Sequence, residues 1–296
     1  MLLPGLRPLW RTGRAVQLGT DPARAIVLEL SEPTAGRLLY LLDGSRTEYT
    51  LLKEAARLGM SEPDARTLLK DLAERGLVIG ADALLPPGLT AADRERLRPE
   101  AAALALDHAA PAEILRRRAA KRVVISGHGR LTRLLEQGLR ESGVGRVALQ
   151  GTLRRLLPQP EGPRVRAAAA SLHVAITSGR LPEATTRPLL LIAVREGVVT
   201  VGPVVPARQG PCLRCLDLHR TDRDPAWPRI QSQLPEEAGA CTTATAYAAA
   251  AYAIGEALAV LDGAPPLLLG ESVDILGPHE LRRRRWERHP GCGCPP

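Results

Sequence analysis

Residues 121–151 decide the fold, and they read KRVVISGHGRLTRLLEQGLRESGVGRVALQG. An apolar run leads into a turn with two glycines, a segment with helical apolar spacing follows, and a second apolar run ends the stretch. Strand, glycine-rich turn, helix and strand in this order predict one parallel crossover unit. Further strands are predicted at 171–179, 188–197 and 198–205, and a helix at 243–262. We therefore expect an α/β domain with a mostly parallel sheet and helices on both faces.

The N-terminal block, residues 1–85, has a different pattern. Three short strand-like runs separated by turn residues precede three helical segments, and the apolar run LVIGADALL at 77–85 reads as a returning strand. Ser61 followed by Asp64 resembles a capping box at the start of the third helix. Three strands, three helices and a returning strand predict a winged helix-turn-helix domain.

Between these blocks lies a stretch that resembles a linker. Residues 86–118 begin with two prolines and continue as a polar and alanine-rich segment, which we expect to be helical in part. The division predicted from sequence is therefore a winged-helix domain at 1–85, a linker at 86–118 and an α/β domain at 119–296.

Charge and hydropathy narrow the class of protein. The 296 residues carry a net charge of +8, which favours an acidic partner such as an acidic peptide, a nucleic acid or a membrane surface. The run Arg282–Arg285 supplies part of that charge, and we interpret it as a solvated face. No signal peptide is recognisable, and the most apolar segment, 244–261, contains Glu256 and reads as a buried helix. The cytoplasm is the expected compartment.

Four of the five cysteines form two tight pairs. Cys212 and Cys215 are separated by two residues, and Cys292 and Cys294 by a single glycine. Because cytosolic thiols stay reduced, four sulfurs in turn-like surroundings predict a closed, structural zinc site that joins two distant segments. The alternatives are unligated core thiols or a redox pair. Cys241 stands apart, either as a nucleophile near a helix start or, as we favour, as a small buried hydrophobe.

These residues resemble a known family. The crossover unit, the segment GPCLRC at 210–215 and the tail HPGCGC at 289–294 are similar to ThiF/MoeB-like, ubiquitin-activating-enzyme-like proteins. In particular, they resemble the ThiF-like partner proteins of YcaO cyclodehydratases, which act in the biosynthesis of azole- and azoline-containing ribosomal peptides. Residues 1–85 resemble the PqqD-like winged helix that recognises precursor leader peptides. The resemblance implies a Rossmann-like ThiF-type fold, a leader peptide and a YcaO-type or dehydratase enzyme as partners, and a homodimer as a possibility.

Active members of the superfamily adenylate a carboxylate with ATP, and this chain departs from the residues which that chemistry needs. The glycine loop contains Gly127 and Gly129, but Thr132 occupies the third glycine position. No carboxylate follows the second strand at Gln150, and the strand ending at Ser178 lacks the expected Asp. The segment 151–170 offers arginines but no lysine. We therefore predict a degenerate nucleotide site, with the two glycines serving a tight turn and His128 at the surface.

The resemblance also implies where a leader peptide would bind. It would add as a strand to the edge of the third predicted strand, Ala25–Leu30, opposite the third helix. Which alternate strand residues face a groove and which face the core is open. The implied binding residues are Ile26, Val27, Leu28 and Leu30 on the strand, and Arg66, Thr67, Lys70 and Asp71 on the helix.

A dense polar cluster follows the first cysteine pair. It has two interpretations, a functional site or a helix followed by a salt-bridged loop, and we favour the second. Its members are Asp217, His219, Arg220, Asp222 and Asp224.

The sequence is compatible with three hypotheses about function. A non-catalytic module would capture a leader peptide and present the precursor to a separate enzyme. An adenylating enzyme would require a non-standard nucleotide site. A DNA-binding regulator is disfavoured because the third N-terminal helix carries Glu62, Asp64, Asp71 and Glu74, which phosphates repel.

Overall fold

The computed structural model describes residues 1–30, 32–150, 170–182, 187–205, 210–235 and 237–294. The chain divides into two compact units, Met1–Arg116 and Arg117–Pro296. The segment 151–169, whose arginines were considered for phosphate binding, lies outside the described residues.

The first unit contains a three-stranded antiparallel sheet and a set of helices. The strands have the spatial order β1-β2-β3, so that β1 and β3 are the two edges. Apolar side chains from β2, β3 and the first three helices form one core, with Leu18, Leu38, Leu39 and Leu72 almost fully buried. The elements are β1 (Pro8–Thr12), β2 (Ala15–Leu18), β3 (Ile26–Glu29), α1 (Pro33–Tyr40), α2 (Glu48–Arg57), α3 (Glu62–Glu74), α4 (Ala81–Leu84), α5 (Ala91–Leu104) and α6 (Pro111–Ala119).

The predicted start of the third helix is confirmed. Ser61 is the N-cap residue of α3, and its hydroxyl accepts a hydrogen bond of 3.3 Å from the backbone N–H of Asp64. Such a bond satisfies one of the amide donors that a helix start leaves without a partner.

The predicted returning strand is wrong in its extent. Val78 makes only an isolated antiparallel bridge to Leu2, and the residues after it form the short helix α4. The winged helix-turn-helix assignment accordingly stays a prediction.

The linker prediction for 86–118 also requires correction. Two helices, α5 and α6, occupy most of this segment, and α5 begins at an N-cap threonine, Thr90. Leu97, Ala101 and Leu115 are buried in a small cluster with Ile79 and other residues of the first unit. Alanine and leucine at helical spacing supply enough apolar surface to pack, so the segment belongs to the first unit up to Arg116.

The second unit is built on a seven-stranded sheet with the order β10-β9-β8-β7-β6-β4-β5. Strands β5, β4, β6 and β7 are mutually parallel, whereas β8, β9 and β10 are added by antiparallel pairing. Three of the six pairings are therefore antiparallel, and the expectation of a mostly parallel sheet is corrected. The elements are β4 (Arg122–Ser126), α7 (Arg130–Glu141), β5 (Arg146–Gln150), β6 (Leu172–Thr177), β7 (Leu189–Arg195), β8 (Val198–Val205), α8 (Leu213–Arg223), α9 (Trp227–Gln233), α10 (Thr243–Asp262), β9 (Glu271–Gly277) and β10 (Glu280–Arg285).

Helices cover both faces of this sheet, as expected. Along β7, Leu190 and Ile192 join the core that packs beneath α7 and α10, while Leu189 and Leu191 join a second cluster with Leu216 of α8. Because successive side chains of a strand point to opposite faces, the alternation places α8 on the face opposite α7 and α10.

Helix α10 is long and apolar enough to cross a membrane by length and composition. Ala249, Ala253 and Ala257 nevertheless pack into the core of the second unit. Glu256 is buried and accepts a hydrogen bond of 3.0 Å from the backbone N–H of Leu268, while burial raises the pKa of its carboxyl group. The contacts are those of a core helix of a globular domain.

Candidate metal centre and neighbouring cavities

The two cysteine pairs meet at the start of α8. Cys212 is the N-cap residue of α8 and Cys215 lies in its first turn, so their side chains leave the same side of the helix start. The second pair follows β10, where the backbone N–H of Cys292 donates to the carbonyl of His289 at 2.9 Å and closes a turn. Cys215 and Cys292 are buried, and the other two cysteines are half-buried.

The geometry of the four sulfurs fits a single metal ion. The Sγ atom of Cys212 lies 3.7 Å from that of Cys215 and 3.5 Å from that of Cys292, and the Sγ atoms of Cys215 and Cys294 are 3.5 Å apart. All four sulfurs lie within 4.8 Å of one another. A zinc ion with four thiolates at about 2.3 Å places neighbouring sulfurs about 3.8 Å apart. The cluster could therefore hold a metal ion.

The thiols differ in their readiness to ionise. Burial raises the pKa of the Cys215 thiol, but hydrogen bonds from the backbone N–H groups of His289 and Cys212 outweigh it and bring the pKa to about 7. Burial and the neighbouring sulfurs raise the pKa of Cys292 to about 12. One thiolate forms readily near neutral pH, and a cation is needed before all four sulfurs can carry negative charge together.

Side chains of α8 hold the tail around the cysteines. The Nε2 atom of His289 donates to the carboxylate of Asp222 at 2.7 Å, while its Nδ1 atom accepts from the backbone N–H of Gly291 at 3.0 Å. His219 donates from Nε2 to the carbonyl of Glu287 at 2.9 Å. Two members of the polar cluster predicted from sequence thus position the segment that carries the second cysteine pair.

The rest of that cluster has structural partners as well. Asp217 accepts a hydrogen bond of 3.1 Å from the indole N–H of Trp227, and Asp224 accepts one of 2.9 Å from the backbone N–H of Ala226. Arg220 donates to the carbonyl of Gly179 at 3.2 Å. The predicted helix is confirmed as α8.

The glycine loop forms the tight turn that was predicted. Gly127 has a φ of +125°, and a Cβ atom there would lie 2.9 Å from the carbonyl oxygen of Ile176. Gly129 is the N-cap residue of α7 with a φ of +97°. Thr132, which occupies the third glycine position, is 3% exposed, and its hydroxyl has no hydrogen-bond partner in the described part of the chain. A buried hydroxyl without a partner costs free energy, because it gives up its hydrogen bonds to water on folding.

A cavity of about 310 Å³ lies beside this loop. His128 and Arg130 from the loop and start of α7 line it together with Ile176, and Cys241 closes it from the segment before α10. Cys241 is half-buried, and burial raises the pKa of its thiol, as for a small hydrophobe. Among the described residues that line the cavity none is a carboxylate; the nearest to His128 is Glu237, 3.8 Å away.

The residues implied in leader binding divide into two groups. Leu28 and Leu30 are buried in the core of the first unit, and Ile26 packs partly against it, whereas Val27 is 39% exposed. Because β3 pairs only with β2 within the described part of its sheet, its outer edge is available. The register therefore makes Val27 the apolar strand residue that faces solvent.

The helix residues implied in the same role lie on the surface of α3. Arg66 forms ion pairs with Glu62 at 2.9 Å and with Glu48 at 3.0 Å, and Lys70 lies 3.7 Å from Glu74. Thr67 donates to the carbonyl of Pro63, and Asp71 is exposed. Acids of the same unit already neutralise much of the positive charge on this helix.

The arginine run Arg282–Arg285 ends β10, and three of its four side chains are exposed, as expected for a solvated face. The alternation of these side chains between two acids of β9 was not predicted from the sequence. Arg282 and Arg284 lie 2.9 and 3.6 Å from Asp274, whereas Arg283 and Arg285 pair with Glu271. The sequence could have indicated this pairing, because successive arginines of a strand point to opposite faces of the sheet.

The whole chain matches solved structures of much larger heterocyclases. A structure of the heterocyclase TruD gives a TM-score of 0.67 at 17% identity, covering 100% of this chain and 42% of that one. A heterocyclase in complex with substrate and cofactor gives 0.66 at 17% identity, covering 100% of this chain and 39% of that one. The chain thus spans about two fifths of these heterocyclase chains.

A second group of similar structures has nearly the same length as this chain. The E. coli protein MccB, solved with AMPCPP and MccA, gives a TM-score of 0.58 at 15% identity, covering 100% of this chain and 99% of that one. MccB solved with ATP gives 0.54 at 15% identity. No protein-family model and no curated protein matches the sequence. At these identities the structural matches show that this chain shares the fold of TruD and MccB.

We expect metal affinity to increase with pH. Each thiol must lose a proton to become a ligand, and below the pKa of about 7 of Cys215 even the first thiol is protonated. Zinc affinity, measured by competition with a chromophoric chelator, should therefore fall steeply from about pH 8 to about pH 6. Cys292→Ser should abolish tight binding, whereas Cys241→Ser, outside the cluster, should leave it unchanged. An affinity independent of pH would contradict ligation by thiolates.

Proposed function

We propose that this chain is a non-catalytic binding protein of ribosomal peptide biosynthesis. It recognises the leader of a precursor peptide through its first unit and presents the precursor to a YcaO-type cyclodehydratase or dehydratase. The observation that carries the proposal is the exposed edge of β3, with Val27 outward and Leu28 fixed in the core. An extended peptide can add to such an edge through main-chain hydrogen bonds.

The shared fold supports the same assignment. TruD is a heterocyclase, and MccB is a microcin C7 biosynthetic enzyme that has been solved with MccA. The chain covers about two fifths of the heterocyclase chains, so the heterocyclisation chemistry would lie outside these 296 residues. In this proposal residues 1–85 keep the role of a PqqD-like winged helix within the larger first unit, and the second unit is a ThiF-like scaffold with a structural zinc ion.

The chemistry of the cavity beside α7 supports a non-catalytic role. Adenylation needs an acid to bind the ribose and another to hold Mg²⁺, and the described lining of the cavity supplies neither. At the two positions where the acids were expected, β5 ends at Gln150 and β6 ends at Thr177. Ser178 follows β6, and its hydroxyl donates to the carbonyl of Pro235.

An adenylating enzyme is the second candidate. The observation in its favour is the fold shared with MccB, which has been solved with ATP, together with a cavity at the glycine loop that contains Arg130 and Arg133. Arginine can bind phosphate groups, although the acids for ribose and Mg²⁺ would have to come from outside the described lining.

Leader binding should depend on the outer edge of β3. Val27→Asp places a charge on the exposed edge without disturbing the core, and strand addition beside a charge is unfavourable. Calorimetric titration of the leader into the full chain should show binding at least about tenfold weaker, equivalent to about 1.4 kcal/mol. Leu9→Asp makes the same change at a similarly exposed residue of β1, the opposite edge, and should leave binding unchanged. Equal losses in both variants, or no binding by the unaltered chain, would refute the proposal.

We expect no adenylation by this chain. ATP–pyrophosphate exchange with the precursor peptide and Mg²⁺ should stay at the level of a protein-free control, because the described lining of the cavity beside α7 contains no acid to hold the metal. Exchange above that level, lost in an Arg130→Ala variant, would establish the adenylating alternative instead.

A further inference from the structure

A second cavity, of about 220 Å³, lies against the antiparallel half of the sheet in the second unit. It is separate from the cavity beside α7, with which it shares no lining residue. Four arginines from three elements converge on it: Arg195 from β7, Arg220 and Arg223 from α8, and Arg284 from β10.

The positive charge of this cavity exceeds its negative charge. Two acids, Asp224 and Asp274, line it. Asp274 already accepts hydrogen bonds from Thr200 at 2.8 Å and from Arg282, outside the cavity lining, at 2.9 Å. Arg284 lies 3.6 Å from the same carboxylate. Asp274 is shared by two arginines and Asp224 is exposed, so these two carboxylates cannot neutralise all four guanidinium groups of the lining.

The remaining arginines are only partly compensated. Burial lowers the pKa of Arg220 to about 10, and repulsion from Arg195 adds to this effect, while attraction by Asp217 opposes it. The hydrogen-bond acceptor of Arg220 is a carbonyl, that of Gly179. Arg195 and Arg223 form no ion pair with any described residue. Like charges gathered at a partly buried site raise its free energy unless an anion joins them.

Two tryptophans make the walls of the cavity rigid. The indole N–H of Trp286 donates to the hydroxyl of Ser272 at 2.9 Å, and that of Trp227 donates to Asp217 at 3.1 Å. The guanidinium carbon of Arg220 lies 5.3 Å from the ring centre of Trp227 and 5.8 Å from that of Trp286. Cation–π contacts at these distances hold a guanidinium in place, and the N–H groups of Arg220 other than the one that donates to Gly179 can bind an anion.

We propose that this cavity is a binding site for a dianionic oxyanion, namely a phosphate or phosphoryl group. Guanidinium groups that approach from three elements suit a tetrahedral anion with several acceptor oxygens, since each arginine can donate to a different oxygen. A single planar carboxylate has two oxygens and would need only two of these guanidinium groups as hydrogen-bond donors. The site is independent of leader binding at β3.

The test uses the full chain in its metal-loaded form and inorganic phosphate as the probe. Calorimetric titration and thermal unfolding should be carried out in phosphate, acetate and chloride at equal ionic strength and pH. Phosphate should bind and raise the unfolding temperature relative to both other anions, because a ligand that binds only the folded state stabilises it. Arg195→Gln and Arg223→Gln should each weaken phosphate binding about tenfold, as expected for the loss of a charge-assisted hydrogen bond.

Arg229→Gln is the matched control. It removes the same charge from α9, outside the cavity lining, and should leave phosphate binding unchanged. Equal weakening by Arg229→Gln and by the cavity variants would reveal a non-specific charge effect and overturn the proposal. Stabilisation by acetate as large as that by phosphate would overturn the assignment to a dianion. No difference between phosphate and chloride would exclude the site.

Discussion

Four sulfur atoms bring the start of α8 and the C-terminal tail together in the second unit. Cys215 and Cys292 are 77 positions apart in the chain, yet their sulfurs belong to one cluster that is compact enough for a single ion. A structural zinc site can contribute on the order of 10 kcal/mol, and here that energy would become tertiary stability. The metal would fix the start of α8 against the tail. It would thereby also hold Trp286, which precedes the second cysteine pair and packs in the apolar cluster with Leu189 and Leu216.

The side chains of α8 that follow the first cysteine pair also contact the tail. α8 presents cysteines at its first turn and His219, Arg220 and Asp222 further on, so one helix holds the tail and also lines the arginine cavity. On the opposite face of the sheet, the glycine loop forms a tight turn, and Thr132 in the following helix has a buried hydroxyl without a partner among the described residues. In the proposed function the second unit is a scaffold, and the proposed peptide recognition lies at β3, in the other compact unit.

Several of these features could be predicted from sequence because they are local or chemically restrictive. The crossover unit from β4 to β5 has an unambiguous period, and paired cysteines have few uses in a reducing compartment. Two antiparallel pairings, β7 with β8 and β9 with β10, follow from sequence once the strands are placed, because two-residue connections can join only antiparallel neighbours. The pairing of β8 with β9 could not be predicted, because these strands are far apart in the chain. The 86–118 segment was misread as a linker because its buried residues are sparse, with only Leu97 and Ala101 buried among the residues of α5. The arginine cavity was missed because its members come from three distant elements, and only the alternation within Arg282–Arg285 pointed towards it.

The central claim is that the metal centre maintains structure while peptide recognition takes place elsewhere. The most direct test is leader binding by the full chain with Cys292→Ser and Cys294→Ser together, measured by calorimetry beside the unaltered chain and accompanied by thermal unfolding. The account predicts a lower unfolding temperature for the second unit and a leader affinity unchanged within about twofold, which is about 0.4 kcal/mol. Loss of leader binding in the metal-free variant while the first unit remains folded would contradict it.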